Sequence, residues 1–386
     1  MNKIMNVRYV VMHKKPHWDE LFALWLARVI GGEEVFPGIM SAQPLYWDEM
    51  EGGAMTEEEY IRAGYLLIGI GFGRFDDKVH NGSRKPGKCS ALLMAEALGI
   101  TNEVQFAKLL KFSLTADTQP KVGFLDPADM VKILHNNNPE NPQIATRYVF
   151  DTVDAYWVQE KRFFGEIQDE YSKMIRTVPG TYQRIRNGVI DDLNLVVLKT
   201  DSPDLVAFGR SDHGGRADVL IKFGDKTPNQ IFFNSRYPKL SGPARDILRA
   251  LRVEDGFDPR KWSWKELGQS GQLNDQDCWY GIARGEGIRE QISVIANGTG
   301  THKRCISKIS QQRILEIVKM CLTRGFEPSR GECCNNNICS SSQGSPCPWF
   351  RLGLSRCQTV RFNQRREEAT RQGEQRNQLE ELLFPK

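Results

Sequence analysis

Two short apolar segments, each followed by a loop and then a helix, most strongly limit the fold of this chain. Residues 7–12 (VRYVVM) predict a buried strand, and the loop after it, which contains Pro16, leads into an apolar helix starting near Asp19. Residues 65–70 (YLLIGI) predict a second buried strand, followed by a glycine-rich turn and the helical segment 88–99. Strands that alternate with helices indicate an α/β domain with a largely parallel sheet.

The 386 residues are enough for roughly two or three domains. We expect a first α/β domain with a parallel sheet over residues 1–140. A long, charged helical pattern predicts a linking helix within 141–180, and alternating strands and helices predict a second, smaller α/β domain over 181–325. Residues 326–386 are rich in Ser, Gly, Asn, Gln, Cys and Arg, which predicts a separate cysteine-rich tail.

The charge balance and the apolar segments exclude some classes of protein. The chain has 52 basic and 48 acidic residues, so its overall charge does not by itself predict nucleic-acid binding. Residues 21–30 are the most apolar stretch, but they include Arg28 and fall far short of the ~20 apolar residues that span a bilayer. The N-terminus lacks the features of a signal peptide, so we expect a cytoplasmic protein without a membrane partner, whose cysteines are thiols or metal ligands.

Three side chains that can bind a metal lie between the first strand and the first helix. They are His13, His17 and Asp19, in the pattern H-x3-H-x-D. In open α/β sheets ligands bind at the carboxyl ends of the strands, and imidazole with carboxylate suits Mn, Zn or Fe. Taken alone, the same pattern is also typical of a capped helix with two surface histidines.

The wider segment, H-x-x-P-H-x-D-E followed by an apolar helix, resembles the first motif of the DHH phosphoesterase superfamily, H-x-x-P-D-x-D-A. Residues 66–70 with Asp76 resemble the second and third motifs. Residues 114–118 (LTADT) are similar to the fourth motif, L-T-D-T, and the helix before them lies where the family has one. The resemblance covers about residues 5–120 and is clearest in the first and fourth motifs.

This resemblance implies a site that binds two divalent ions, Mn or Mg, and hydrolyses a phosphodiester. His13 and His17 would hold one ion, and Asp19 with Asp117 the other. His80 or Asp77 would take the place of the first histidine of the Asp-His-His motif. The implied metal ligands are His13, His17, Asp19, Asp76, Asp77 and Asp117, and the implied catalytic residues are Asp19, His80 and Asp117. Short oligonucleotides or dinucleotides are the implied substrates.

The chain also departs from the family pattern. His17 stands where the family has Asp, and Gly69 stands where the family has a carboxylate that bridges both ions. Asp-His-His is absent, and both 76–78 (DDK) and 79–81 (VHN) remain candidates for its position. A one-metal site, a repositioned Asp76 or Asp77, and an inactive site therefore stay open. The alternative function is a catalytically inactive nucleotide- or nucleic-acid-binding protein.

A second glycine-rich segment, residues 212–216 (DHGGR), precedes a predicted strand. It resembles the element with which the family's second domain contacts substrate, which implies substrate binding by His213, Gly214, Gly215 and Arg216. Glycines let backbone N–H groups approach a phosphate, and arginine binds its oxygens through two N–H groups. Arg236, between a strand and a predicted helix start, is a further candidate. A hairpin turn that needs glycine is the alternative interpretation.

The last cysteines of the chain form a separate candidate site. Cys334, Cys339, Cys347 and Cys357 could bind Zn²⁺ or an iron–sulfur cluster and so fold a segment that is poor in apolar residues. Their spacing matches neither a zinc ribbon nor a ferredoxin, and a tail with incidental cysteines is the alternative. The sequence leaves the oligomeric state open, with a homodimer as one option.

Overall fold

The two sheets of the protein belong to two units, Met1–Glu166 and Ile167–Lys386. The computed structural model describes residues 6–48, 55–79, 83–119, 123, 125–186, 192–257, 261–285, 290–297, 305–324 and 366–376. The boundary between the units falls within the segment 141–180, which the sequence predicts to be a linking helix. That segment is helical from residue 143 to residue 177, with a π-helical turn at Phe163–Ile167 around Gly165.

The first unit alternates strands with helices. Its elements are β1 (Tyr9–His13), α1 (Trp18–Trp25), a π-helical turn (Leu26–Gly31), α2 (Gly32–Val35), β2 (Gln43–Trp47), α3 (Glu57–Arg62), β3 (Tyr65–Leu67), α4 (Ser90–Leu98), α5 (Ala107–Thr118), α6 (Pro127–Asn137) and α7 (Gln143–Arg162). The three strands form a parallel sheet in the order β2-β1-β3, with Tyr9 aligned with Gln43 and with Tyr65. The prediction of a parallel sheet in the N-terminal part is therefore confirmed.

Helix α1 forms the centre of the first core, because all eight of its residues are buried. A helix that is buried on every side must pack against several elements, and α1 packs against α4, α5 and α7. The Trp25 indole N–H donates to Asp154 Oδ1 at 2.8 Å, and the Trp25 ring packs edge-on against Trp157. These contacts fix the helix that follows the central strand of the sheet.

Three element boundaries differ from the prediction. As a residue type that favours the N-cap, Asp19 is predicted to cap the first helix, whereas helix α1 begins at Trp18 with His17 as its N-cap residue and Asp19 lies in the first turn. Strand β3 ends at Leu67, before residue 70, because Gly69 and Gly71 adopt positive φ angles of 69° and 81° that end the strand. The sequence pattern predicts a further helix over residues 103–114, whereas helix α5 starts four residues later, at Ala107, and continues to Thr118.

The second unit is built on a larger, mixed sheet. Its elements are α8 (Gln168–Thr177), β4 (Tyr182–Ile185), β5 (Leu193–Lys199), α9 (Pro203–Arg210), a 3₁₀ turn (Asp212–Gly214), β6 (Val219–Phe223), β7 (Gln230–Phe233), a 3₁₀ turn (Pro238–Leu240), α10 (Ser241–Glu254), α11 (Trp264–Leu267), β8 (Trp279–Arg284), β9 (Gln291–Asn297) and α12 (Gln311–Arg324). The strand order is β4-β5-β6-β7-β9-β8, and β5 with β6 is a parallel pair among antiparallel neighbours. The sequence predicts a smaller second α/β domain, whereas this sheet has six strands and the first has three.

The four cysteines among the described residues are each either paired or buried. Cys278 and Cys305 form a disulfide, so these two are not the free thiols that the sequence predicts, while Cys89 and Cys321 are free and buried. The predicted metal ligands Cys334, Cys339, Cys347 and Cys357 lie outside the described residues. None of the helices in the described ranges is both long enough and apolar enough to cross a bilayer.

A buried arginine organises the second unit. The Arg252 side chain has no exposed surface, and its Nε donates to Asp277 Oδ2 at 2.8 Å. Its two terminal nitrogens donate to the backbone carbonyls of Leu267, Gln269, Gly271 and Trp279. Asp277 in turn accepts hydrogen bonds from the backbone N–H groups of residues 273 and 279. One side chain on α10 thus determines the path of the segment that leads to β8.

We expect Arg252→Met to lower the free energy of unfolding of the second unit by about 3–5 kcal/mol, because it leaves the buried Asp277 charge without a partner. Urea denaturation of the full chain, followed by tryptophan fluorescence, measures this change. Arg184→Met is the matched control. It removes an exposed ion pair with Asp192 and should cost about 0–1 kcal/mol. Equal losses for the two variants would contradict the role given to Arg252.

Candidate functional site

Three of the predicted metal ligands come together at one edge of the first unit. One ligand atom each of His17, Asp19 and Asp117 lies within 4.8 Å of the other two. His17 and Asp19 lie at the start of α1, directly after the central strand, and Asp117 lies in the last turn of α5. The group therefore lies beyond the carboxyl end of β1, where ligands bind in open α/β sheets.

Asp19 is held inside the protein with little compensation for its charge. It is 5% exposed, and its Oδ2 accepts a hydrogen bond from the backbone N–H of Ser90 at 3.0 Å, at the N-terminus of α4. Burial is the main cause that raises the pKa of Asp19 to about 8, and the nearby Glu20, Asp117 and Asp77 carboxylates contribute to the same shift. A bound cation would offset this repulsion.

Neighbouring contacts fix the start of α1 in place. The Trp18 indole N–H donates to Ser113 Oγ at 2.9 Å, and that hydroxyl donates to the Leu109 carbonyl on α5. The loop before the helix is held by His135, whose Nε2 lies 2.9 Å from the Pro16 carbonyl and therefore carries the hydrogen. Burial lowers the pKa of His135, in keeping with a neutral ring that only donates here. Trp18 links α1 directly to α5, the helix that carries Asp117.

His13 does not join this group but pairs with Glu20. Its Nδ1 lies 2.6 Å from Glu20 Oε1, and this hydrogen bond raises the pKa of His13. The rings of His13 and His17 lie with their centroids 6.4 Å apart. Glu20 is 3% exposed, and its second oxygen, Oε2, has no hydrogen-bond partner in the described part of the chain.

The loop after β3 brings one predicted carboxylate to the site and uses the other for its own turn. Asp76 is buried, and it accepts hydrogen bonds from the backbone N–H groups of Phe72 and Lys78 at 2.8 and 2.9 Å. Asp77 lines the same cleft as Asp19 and Asp117, but it is not part of the compact group. Burial is the main cause that raises the pKa of Asp77. His80 lies outside the described residues.

Arg84 is a cation that already stands in the site. Its Nη1 lies 2.7 Å from Asp117 Oδ2, and its Nε lies 3.4 Å from Asp77 Oδ2. The second contact is ionic without the geometry of a hydrogen bond, so Asp77 Oδ2 remains a buried acceptor without a hydrogen-bond partner among the described residues. Arg84 thus neutralises Asp117 directly and Asp77 only partly.

The group lies between two adjoining hollows, of about 670 and 480 Å³. Both are lined by His17, Asp19, Arg84 and Asp117. The larger hollow also contains Lys14, Lys15 and Lys78 in its lining, and the smaller has Lys132 beside the apolar residues Trp18, Ala116, Ala128 and Val131. Basic side chains around a carboxylate centre suit an anionic ligand that meets a metal ion.

The donors in the first cleft fit a divalent cation. One imidazole and several carboxylates suit Mn²⁺, Zn²⁺ or Fe²⁺, and carboxylates also suit Mg²⁺. Two buried oxygens beside these donors, Glu20 Oε2 and Asp77 Oδ2, have no hydrogen-bond partner among the described residues. A buried carboxylate oxygen normally has a partner, so these two atoms also favour a bound cation. His17, Asp19 and Asp117 could therefore hold one such ion.

The second unit has an arginine-rich cleft of about 510 Å³. The arginines that line it are Arg184, Arg210, Arg216 and Arg236. Arg216 and Arg236 both pair with Asp212 at 3.1 Å. Arg210 stacks over the Phe232 ring and has no carboxylate partner among the described residues. This cleft includes two of the predicted substrate-binding residues.

The glycines of the predicted substrate-binding segment serve the turn itself. The Gly214 N–H donates to Ser211 Oγ at 3.2 Å, and a Cβ on Gly214 would lie 1.9 Å from the Phe208 carbonyl oxygen. Gly215 follows with a φ of 88°. His213, Gly214 and Gly215 are not among the described residues that line the arginine cleft. Of this segment, Arg216 is the predicted residue that reaches the cleft.

Several residues of these two clefts are not predicted from the sequence. In the first cleft they are Glu20 and Arg84, and in the second they are Arg184 and Arg210. Glu20 could have been found from the sequence, because it stands directly after Asp19, where the first motif of the DHH phosphoesterases has alanine. No sequence pattern distinguishes Arg84, Arg184 and Arg210, because isolated arginines in loops and at element ends are common on any surface.

Comparison with known proteins gives no match: no family model, no curated protein and no solved structure matches this chain.

In the metal-free protein, Asp19 should make stability depend on pH. Its pKa is raised from 3.8 to about 8 on folding, so between these values the folded state holds a proton that the unfolded state has released. The free energy of unfolding should therefore fall as the pH rises from about 4 to about 8. Asp19→Asn should flatten this dependence, as urea denaturation in the presence of a chelator would measure. An unchanged pH dependence in the variant would contradict the burial of an uncompensated Asp19 charge.

Proposed function

We propose that the first unit binds a divalent cation, Mn²⁺ or Mg²⁺, through His17, Asp19 and Asp117, and that the protein hydrolyses phosphodiesters in short oligonucleotides or dinucleotides. The convergence of these three ligand atoms within 4.8 Å is the observation that carries the proposal. It is supported by the resemblance of the segments around Asp19 and Asp117 to the first and fourth motifs of the DHH phosphoesterases, in which His17 stands where the family has Asp. The basic residues that line the cleft suit a phosphate substrate.

Four residues of the cleft in the first unit have defined roles in this proposal. Asp19 and Asp117 supply anionic oxygens, and His17 supplies a neutral ring nitrogen. When bound, a divalent cation supplies the Lewis-acid chemistry that phosphodiester hydrolysis requires. Arg84, beside Asp117, would contact a phosphate oxygen once the cation neutralises that carboxylate. Little general-base work is then required of the protein side chains.

The arginine cleft of the second unit is by itself a candidate site for a phosphate group of a nucleotide. Arg210 is the strongest candidate because no described carboxylate pairs with it, whereas a phosphate must compete with Asp212 for Arg216 and Arg236. Tyr182 and Tyr237 line the same cleft and offer rings on which a base could stack.

A second candidate function is a catalytically inactive protein that binds nucleotides or nucleic acid. The contacts of Arg84 with Asp117 and Asp77 favour it, because a fixed guanidinium can neutralise these carboxylates without a metal ion. Gly69 also favours it, since no carboxylate stands at the end of β3.

Mn²⁺ binding and hydrolysis distinguish the two functions. We expect the wild-type protein to bind Mn²⁺ and to hydrolyse bis(p-nitrophenyl) phosphate and the dinucleotide pApA. Asp19→Asn and Asp117→Asn should each lower activity and Mn²⁺ affinity by about 100-fold, because each removes a ligand charge. Electron paramagnetic resonance of free Mn²⁺ and a chromogenic assay provide the measurements.

The control for this experiment is Asp151→Asn, which changes an exposed aspartate on α7 and should leave both quantities unchanged. Absence of turnover in the wild type, with pApA binding intact, would favour the inactive binder. Absence of Mn²⁺ binding to the wild type would overturn the proposed metal site.

The arginine cleft gives a separate prediction. Arg210→Gln should weaken pApA binding by about tenfold, because one charge-assisted hydrogen bond to phosphate is lost. Fluorescence anisotropy with a labelled dinucleotide at two salt concentrations measures the affinity and its salt dependence. Arg176→Gln, at an exposed position on α8, is the matched control and should have no effect. Unchanged affinity in Arg210→Gln would exclude this arginine from the substrate site.

A further inference from the structure

Glu20 has the features of a ligand rather than of a structural residue. It is 3% exposed and lines the larger hollow together with Asp19, Asp77 and Asp117. Its Oε2 atom has no hydrogen-bond partner in the described residues. A buried carboxylate oxygen without a partner destabilises the fold, so some other role must retain it there.

The backbone of Gly69 leaves room for this carboxylate. A Cβ built on Gly69 would lie 2.6 Å from Glu20 Cγ, 2.7 Å from Cδ and 2.8 Å from Oε1. Glu20 therefore fills the space that any side chain at position 69 would occupy. The loop just after β3 has no carboxylate of its own at position 69. The Glu20 carboxylate, from the first turn of α1, lies against that position instead.

His13 fixes the orientation of that carboxylate. Its Nδ1–H donates to Glu20 Oε1 at 2.6 Å, which leaves Oε2 as the free oxygen. Ligating carboxylates in metal sites are commonly held in this way, with one oxygen in a hydrogen bond to a neighbouring group. Oε2 is buried and has no hydrogen-bond partner among the described residues, so it is the oxygen left to bind a cation.

Glu20 is not part of the compact group of His17, Asp19 and Asp117, but it lines the same hollow. We propose that it is a ligand of a divalent cation in this hollow through Oε2, and that it supplies the carboxylate for which Gly69 leaves room. His13 is then a positioning residue that acts through Glu20. This inference rests on the metal site of the proposed function and adds to it a residue of this chain.

Mn²⁺ titrations of the full chain, read by electron paramagnetic resonance, test the inference without using activity. Glu20→Ala should lower Mn²⁺ affinity by at least about tenfold. Gly69→Asp in the Glu20→Ala background should restore most of it, since Asp tolerates a φ of 69° better than most residues and places a carboxylate in the vacated space. Gly69→Asn in the same background has the same shape without the charge and should not restore binding.

Two further variants complete the test. Asp48→Asn removes an exposed carboxylate from the lining of the same hollow and should change Mn²⁺ affinity by less than about twofold. Glu20→Gln keeps the size of the side chain and an acceptor for His13. It should show the same tenfold loss, and circular dichroism would verify its fold if Glu20→Ala proves unstable.

The possible failures are distinguishable. Equal Mn²⁺ affinity in wild type and Glu20→Gln, with binding lost in Asp19→Asn, would overturn the role of Glu20 and leave the proposed metal site intact. Rescue by Gly69→Asn as complete as rescue by Gly69→Asp would assign the effect to packing and also overturn it. A wild-type protein that does not bind Mn²⁺ would remove both proposals.

Discussion

The first unit depends on the burial of Asp19 at the start of its central helix. All eight residues of α1 are buried, Asp19 is 5% exposed where it lines the two hollows, and its Oδ2 accepts a hydrogen bond from the backbone N–H of Ser90. Glu20, Asp77 and Asp117 approach the same point and contribute to its raised pKa. The fold thus concentrates negative charge where only a cation or a proton can compensate for it. Such an arrangement costs stability, as functional sites commonly do.

The alternation of strands and helices could be predicted from the sequence because each buried segment is short and clearly bounded. The run 7–12 and the apolar helix after Pro16 correspond to β1 and α1. The resemblance assigns His17 to one ion and Asp19 with Asp117 to another, whereas in the structure ligand atoms of all three lie within 4.8 Å of one another. The ends of elements were less accessible to prediction. Strand β3 stops early because Gly69 adopts a positive φ, and nothing in the letters YLLIGI distinguishes such a glycine from one in an extended strand.

The contacts that decide the chemistry of the cleft come from tertiary structure. Arg84 reaches Asp117 across 33 positions of the chain, and no local pattern marks that pairing. The turn around Gly214 illustrates the same limit. Its glycines suggest an approach to phosphate, but the Phe208 carbonyl requires a residue without a Cβ, and the N–H bonds within the turn. Arg252 likewise shows as one charge among many in the sequence, yet it gathers four carbonyls and a carboxylate inside the second unit.

The contact between Glu20 and Gly69 has a consequence for how sequence motifs are compared with structures. A search pattern that demands an acidic letter after the third strand rejects this chain, although an acidic group lies against that position in space. Two sequences could then share a cleft while differing at the column that defines the motif. A comparison of the positions of side chains in space, in addition to the aligned sequence, would detect a carboxylate that is supplied by a neighbouring helix instead of the strand end.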